Sequence, residues 1–307
     1  MVVGRWVFLF YPMDKCDIIR AVKSSDSDKN SSVPRIHPSA VVDPAAGIGA
    51  GVSVGPYAVI GPDVRVGDGA RIGAHVVLDG RTVIGARCRI HPFAVLGQPP
   101  QDLTWNGEPT RLEIGEETVI REYASVHAGT AKGGGLTRIG SWAYLMVGTH
   151  VGHDCRIGDR VVIANLTSLG GHCEIGDHAV LGAMSGLHQF CRVGEGAMVG
   201  AGTFTSQDLP PFATVQGGYR AKVVGVNRIG LRRRGVPRAS IAAVVGAYRT
   251  LHRGGLALPA ALDRVEAEGG TVPEIARLVA FYRSAKRSVA GMREIAEHMK
   301  ENVDLEG

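Results

Sequence analysis

An aliphatic residue stands at every sixth position of this chain from Ile36 to Leu96, through Val42, Ile48, Val54, Ile60, Val66, Ile72, Leu78, Ile84 and Ile90. The series resumes in phase at Ile114, Ile120 and Val126 and slips by one across a glycine-rich stretch. It then runs from Ile139 through Leu145, Val151, Ile157, Ile163, Leu169, Ile175, Leu181, Leu187 and Val193 to Val199. Neither a helix, with its period of ~3.6, nor a two-faced strand, with its period of ~2, produces a strict six. One side of a prism does. Each side is a short strand with one aliphatic pointing inward, and the glycine that often follows, as in Ile48-Gly49, Val54-Gly55 and Ile60-Gly61, is expected at a corner that needs positive φ. Three such sides make one coil, and coils stack as parallel strands ~4.8 Å apart. With 43 glycines and only 6% aromatic residues, the composition suits many tight corners and few bulky core groups.

The pattern organises the whole chain. We read residues 34–215 as a parallel β-helix, 1–33 as a disordered extension and 216–307 as a helical domain that caps the solenoid. Amphipathic helices are expected at 237–253, 257–267 and 271–300, where Ile241, Val244, Val245, Tyr248 and Leu251, then Ile275, Leu278, Val279 and Tyr282, recur at three and four. Two stretches interrupt the repeat, Gly97 to Glu113 and Thr130 to Leu136. Loops leaving a rigid scaffold are where function concentrates.

Five cysteines, none in a Cys-x-x-Cys pair, argue against a zinc site and against a secreted disulfide framework, and point to a reducing cytoplasm. Cys155, Cys173 and Cys191 share one register and are expected as small core fillers. The apolar run Trp6 to Tyr11 is far shorter than the ~20 residues of a bilayer span and carries no cleavage signal, so no membrane segment is expected. The net charge of +5 is local. Between Arg220 and Arg253 lie nine Lys and Arg and no carboxylate. Such a patch suits an anionic partner, whether nucleic acid, a membrane surface or an acidic protein.

Six of eleven histidines fall between His127 and His188. His150 and His153 lie about one coil before His172, so the three are expected to share a small region.

Gln101-Asp102-Leu103, Gly107-Glu108-Pro109-Thr110-Arg111, Gly133-Gly134-Gly135-Leu136-Thr137, His150-Val151-Gly152-His153-Asp154-Cys155, Gly170-Gly171-His172, His188-Gln189-Phe190-Cys191 and Arg232-Arg233-Arg234-Gly235 follow one another in an order and spacing that resembles the UDP-N-acetylglucosamine O-acyltransferase family over residues 34–290. The resemblance implies a left hand for the β-helix, which spacing alone does not show. It further implies a homotrimer that takes a 3-hydroxyacyl group from acyl carrier protein to UDP-N-acetylglucosamine, the opening step of lipid A synthesis. No metal or dissociable cofactor is implied, because the acyl donor rides on the phosphopantetheine of acyl carrier protein. By the same resemblance His153 is the general base, Asp154 its orienting partner and the Gly171 N–H the oxyanion donor. Gln101, Asp102, His150, His172, His188 and Gln189 then hold the sugar nucleotide, Asn227 and Arg233 lie near the uridine and phosphates, and Met198 with Ala201 limits the acyl groove. The physics of the base agrees, since an imidazole titrating near ~6.5 is mostly neutral at pH 7 and accepts a proton readily.

Two positions depart from the family pattern. Thr104 stands where many members carry Lys, and Ala201 where Gly is frequent. Other readings remain open at this level. They are the related sugar N-acyltransferase, whose extra N-terminal domain has no room before Ile36, a coenzyme A-dependent acetyltransferase, a γ-class carbonic anhydrase with three histidines on zinc, and a solenoid without catalysis.

Overall fold

The computed structural model describes residues 33–218 and 220–291. The expected disorder of the N-terminal extension, and the chain beyond Gly291, lie outside these residues.

Short strands, most of two residues, pass in turn through three sheets of eleven, nine and eight strands. Pairing is parallel throughout the coils and in the register the period demands, with Ile36 opposite Val54 and Val54 opposite Ile72. Where the repeat is interrupted, the same partners still meet across a longer path: Ile90 pairs with Ile120, and Val126 with Val151. The insertions therefore loop out and leave the stack intact. The aliphatic series fills the prism, with Leu78, Leu96, Ile120, Leu145, Ile163, Leu169 and Leu181 fully buried, each contributing on the order of 2 kcal/mol relative to exposure. Cys155, Cys173 and Cys191 are fully buried as expected, and each thiol donates to a carbonyl, those of Gly170, His188 and Thr205 in turn.

The expected reason for the corner glycines is corrected. Gly49, Gly55 and Gly61 do not have positive φ. A Cβ at Gly55 would instead lie 2.8 Å from the backbone N of Ala74, so the small residue answers to the close approach of the next coil. Positive φ falls two residues after Gly49 on another glycine, Gly51 at 65°, and two after Gly55 and Gly73 on side-chain-bearing residues, Tyr57 at 57° and His75 at 56°. Their rings stack along one edge, Tyr57 on His75, His75 on Phe93 and Phe93 on Tyr123, at centroid spacings of 4.9 to 5.2 Å. Such stacking offsets part of the left-handed cost of ~1–2 kcal/mol per residue.

Ala213–Gln216 extends the eleven-stranded sheet, and Lys222–Val226, a strand not foreseen from the sequence, closes its edge in antiparallel pairing. Four helices follow: α1 (Arg228–Arg233), α2 (Arg238–Arg253), α3 (Leu258–Gly269) and α4 (Pro273–Arg283). Ile241, Val244, Tyr248 and Leu251 of α2 are buried, as are Ile275, Leu278, Val279 and Tyr282 of α4, on the faces the periodicity marked. Of the helix expected over 271–300, the part beyond residue 291 lies outside the described residues; α4 ends at Arg283, and residues 284–291 are not helical. The chain then extends so that Asp208 can exchange backbone hydrogen bonds with Ser288 and Ala290.

Candidate active site

Both excursions leave the same edge of the prism. The first joins Val95–Gln98 of the nine-stranded sheet to Arg111–Ile114 of the eight-stranded sheet, and the second joins Ser125–His127 to Leu136–Ile139 of the same pair, one coil on. The next three corners of that edge carry His153-Asp154, Gly171-His172 and Gln189-Phe190. Two loops and three polar corners thus follow one another along a single edge.

Asp154, in the left-handed region at φ 60°, places its carboxylate beneath the glycine-rich loop, where the side chain is only 1% exposed. Burial of a charge at this depth requires hydrogen bonds. Thr130 supplies two, from its N–H to Oδ1 at 2.8 Å and from its hydroxyl to Oδ2 at 2.7 Å. A Cβ on Gly133 would collide with this carboxylate, so the glycine-rich loop is shaped to seat it. The remaining capacity of Oδ2 goes to His153 Nδ1, 2.8 Å away. With Nδ1 donating, Nε2 keeps its lone pair and is the atom able to accept a proton. Gly171 lies directly beneath the ring. A Cβ there would stand 2.6 Å from His153 Cε1 and 2.7 Å from Nε2. Among the described residues none accepts from the Gly171 N–H.

His172 meets the His153 ring edge to face at 5.1 Å and stacks on Phe190 at 4.3 Å. Burial pulls its pKa down, while Asp154, 3.6 Å from Nε2, pulls it up. The expected trio of histidines divides into two pairs. His150 turns to His127, ring edge to face at 5.2 Å, and to the Ser125 hydroxyl at 2.9 Å. Burial first, then the neighbouring His150 and His153, brings His127 down to about 4, and its Nδ1 is buried without a hydrogen-bond partner. Neither His127 nor Phe190 was assigned a role from sequence. Phe190 follows His172 by one coil, a spacing that would have found it, whereas the inserted loop hides that Ser125, two residues before His127, is opposite His150.

In the first loop Asp102 accepts from both the N–H and the hydroxyl of Thr104 at 2.8 Å, and Lys132 of the second loop donates to that hydroxyl at 2.7 Å. The Thr104 hydrogen bonds hold Asp102 below the usual carboxylate range, with Lys132 and His153 adding to the effect. His188 and Gln189 are exposed at the third corner, and Gln101 is exposed on the loop. Four expected site residues do not join this edge within one chain. Met198 lies in the eleven-stranded sheet and Ala201 on the corner after it. Asn227 caps α1, accepting from Gly230 N–H at 3.0 Å and donating to Gly196 carbonyl at 2.9 Å. Arg233 is exposed on the last turn of that helix, while its neighbour Arg234 pairs with Glu195.

His153, Asp154 and His172 bring their ligand atoms within 4.8 Å of one another, close enough to hold a metal ion. That set is two imidazoles and a carboxylate, unlike the three histidines a carbonic anhydrase reading requires, and Asp154 already receives Thr130 and His153. No helix among the described residues is long and apolar enough to cross a membrane.

The chain is 44% identical over 255 residues to the acyl-(acyl-carrier-protein)–UDP-N-acetylglucosamine O-acyltransferase of Syntrophobacter fumaroxidans, an alignment covering 83% of this chain and 99% of that one. It belongs to the UDP-N-acetylglucosamine O-acyltransferase family. The corresponding O-acyltransferase of Thermodesulfovibrio yellowstonii is 42% identical, with 83% and 98% of the two chains covered. Among solved structures, LpxA of Acinetobacter baumannii superposes with a TM-score of 0.80 at 39% identity, covering 83% of this chain and 99% of that one. The model for the second domain of the UDP-N-acetylglucosamine O-acyltransferases matches residues 208–290, and that for the bacterial transferase hexapeptide, six repeats, matches 45–80 and 63–98. As in that O-acyltransferase family, the solenoid is a left-handed parallel β-helix followed by a helical C-terminal domain.

Proposed function

We propose that this chain transfers an (R)-3-hydroxyacyl group from the phosphopantetheine thioester of acyl carrier protein to the 3-hydroxyl of UDP-N-acetylglucosamine, opening lipid A synthesis in the cytoplasm. The observation that carries the reading is the His153 imidazole, fixed through Nδ1 on Asp154 and lying over the Cβ-less Gly171. In this reading His153 Nε2 takes the proton of the sugar hydroxyl as its oxygen forms the C–O bond to the thioester carbonyl. Asp154 stabilises the resulting imidazolium. The Gly171 N–H donates to the developing oxyanion. Collapse breaks the C–S bond, and the imidazolium returns its proton to the leaving thiolate. The chemistry is complete without a cofactor.

Gln101, Asp102, His150, His172, His188 and Gln189 line the sugar-nucleotide side of the site, and His127 joins them. Met198, Ala201, Asn227 and Arg233 lie off this edge in their own chain, so the proposal includes a homotrimer in which a neighbouring protomer brings them to it. The carboxylate-free stretch from Arg220 to Arg253 is the docking ground for the acidic carrier protein.

The test is product mass from purified protein with UDP-N-acetylglucosamine or its 3-amino analogue, each with carrier-protein and coenzyme A thioesters of several lengths. An O-acylated product from the carrier-protein donor is expected. Exclusive acylation of the amine, or exclusive use of coenzyme A, overturns the assignment. His153→Ala is expected to lose about 10²–10⁴-fold in turnover while keeping its circular dichroism.

A further inference from the structure

Lys132 links the two excursions by a chain of directed hydrogen bonds. Its ammonium donates to the Thr104 hydroxyl at 2.7 Å, and that hydroxyl, with the Thr104 N–H, donates to one oxygen of Asp102 at 2.8 Å. A cation that donates to a hydroxyl polarises it and strengthens its donation to the next acceptor. Among the described residues Lys132 forms no ion pair; its charge favours the ionised forms of both Asp102 and Glu108 on the first excursion, and only Asp102 is reached through a hydrogen-bonded chain.

Asp102 needs such an anchor. It lies on a long excursion with no regular strand or helix, and an unheld side chain in that setting loses freedom only when ligand binds. Thr104 grips one oxygen and leaves the second free to accept from a ligand hydroxyl or amide. Lys132 brings an ammonium toward the same carboxylate from the other loop.

We propose that Lys132 is a positioning residue of the sugar-nucleotide site, acting through Thr104 to hold Asp102 toward a nucleoside diphosphate sugar at the edge shared with His153. This rests on the proposed function. The electrostatics agree in direction, since Lys132 and His153 both favour the ionised form of Asp102.

Lys132→Met keeps the aliphatic stem and removes the charge. Its dissociation constant for UDP-N-acetylglucosamine, read by calorimetry, and its KM are expected to rise about fivefold to tenfold, the effect of losing one hydrogen bond of ordinary net strength. kcat should stay within about twofold, with the melting temperature unchanged. Thr104→Val removes the hydroxyl that links the two groups, and adding Lys132→Met to it is expected to raise both constants by less than about twofold further, because the two losses act through one chain of contacts. A lysine that merely braced the loop would cost the same factor in either background. Parent-like binding in Lys132→Met, or a full loss of about fivefold to tenfold on adding it to Thr104→Val, overturns the inference. A parent that neither binds the sugar nucleotide nor acylates it overturns the proposed function and this inference together. A competent parent with an indifferent Lys132→Met overturns this inference alone.

Discussion

The space that a side chain at position 171 would fill is taken by the imidazole of His153, whose Cε1 and Nε2 lie 2.6 and 2.7 Å from an added Cβ. Gly171→Ala must therefore displace the ring or its own backbone. Displacement of a reacting group by about 1 Å costs on the order of 10²-fold in rate. We expect Gly171→Ala to lose about 10²-fold in kcat with little change in melting temperature, measured by steady-state kinetics and circular dichroism. A variant as fast as the parent would mean that chemistry does not occur at this imidazole. His153, Asp154 and Gly171 were legible in the sequence because motif order marks them. The pairing of His150 with His127 was not, since it depends on how far a loop projects before the chain rejoins its sheet.

Strands of two residues have no stability alone, and here each is held by the coils on either side, which is why one period runs so long without a break in register. The helical domain is fastened to this stack by side chains that reach back to the candidate site. Arg287, beyond the end of α4, donates to the carbonyls of Gln189 and Ser206 at 3.2 and 3.0 Å and to Cys191 Sγ at 3.4 Å. Arg192 donates to Asp208 at 2.8 Å and lies over the Phe281 ring. Arg287 thus holds the corner on which Phe190 stacks against His172. Arg287→Ala is expected to lower stability by about 1–3 kcal/mol, seen as a lower urea midpoint at constant m-value, and to lower kcat by loosening that corner. An unchanged midpoint would show that the clasp contributes nothing. Helical periodicity marked residues 284–291 as helix because it reports only which face a helix would bury. It carries no information about Asp208, whose backbone competes for those residues from eighty positions away.

Taken as a whole, the prism presents one edge rich in exposed rings, with Tyr57 at 59%, Phe93 at 43% and Tyr123 at 63% exposure. A trimer of parallel prisms has such an edge available for its axis, where stacked apolar rings lose water. We expect light scattering to give the mass of three chains. Phe93→Asp should shift that mass toward one chain and remove activity, because Met198, Ala201, Asn227 and Arg233 would no longer meet His153. A stable, active trimer in Phe93→Asp would place the interface on another face.

The six-residue period made the three-sided coil legible in advance, because the inward position of nearly every side is aliphatic and the close approach between coils calls for small residues. His153 and Gly171 were marked together only through the family resemblance of their motifs, and the fold places the glycine beneath the imidazole. The glycine-rich loop as the seat of Asp154, the turn of His150 toward His127 and the reach of Lys132 across to Thr104 became visible only in the folded molecule. Each is a contact between segments separated by an insertion, and no periodic signal encodes how far an insertion reaches.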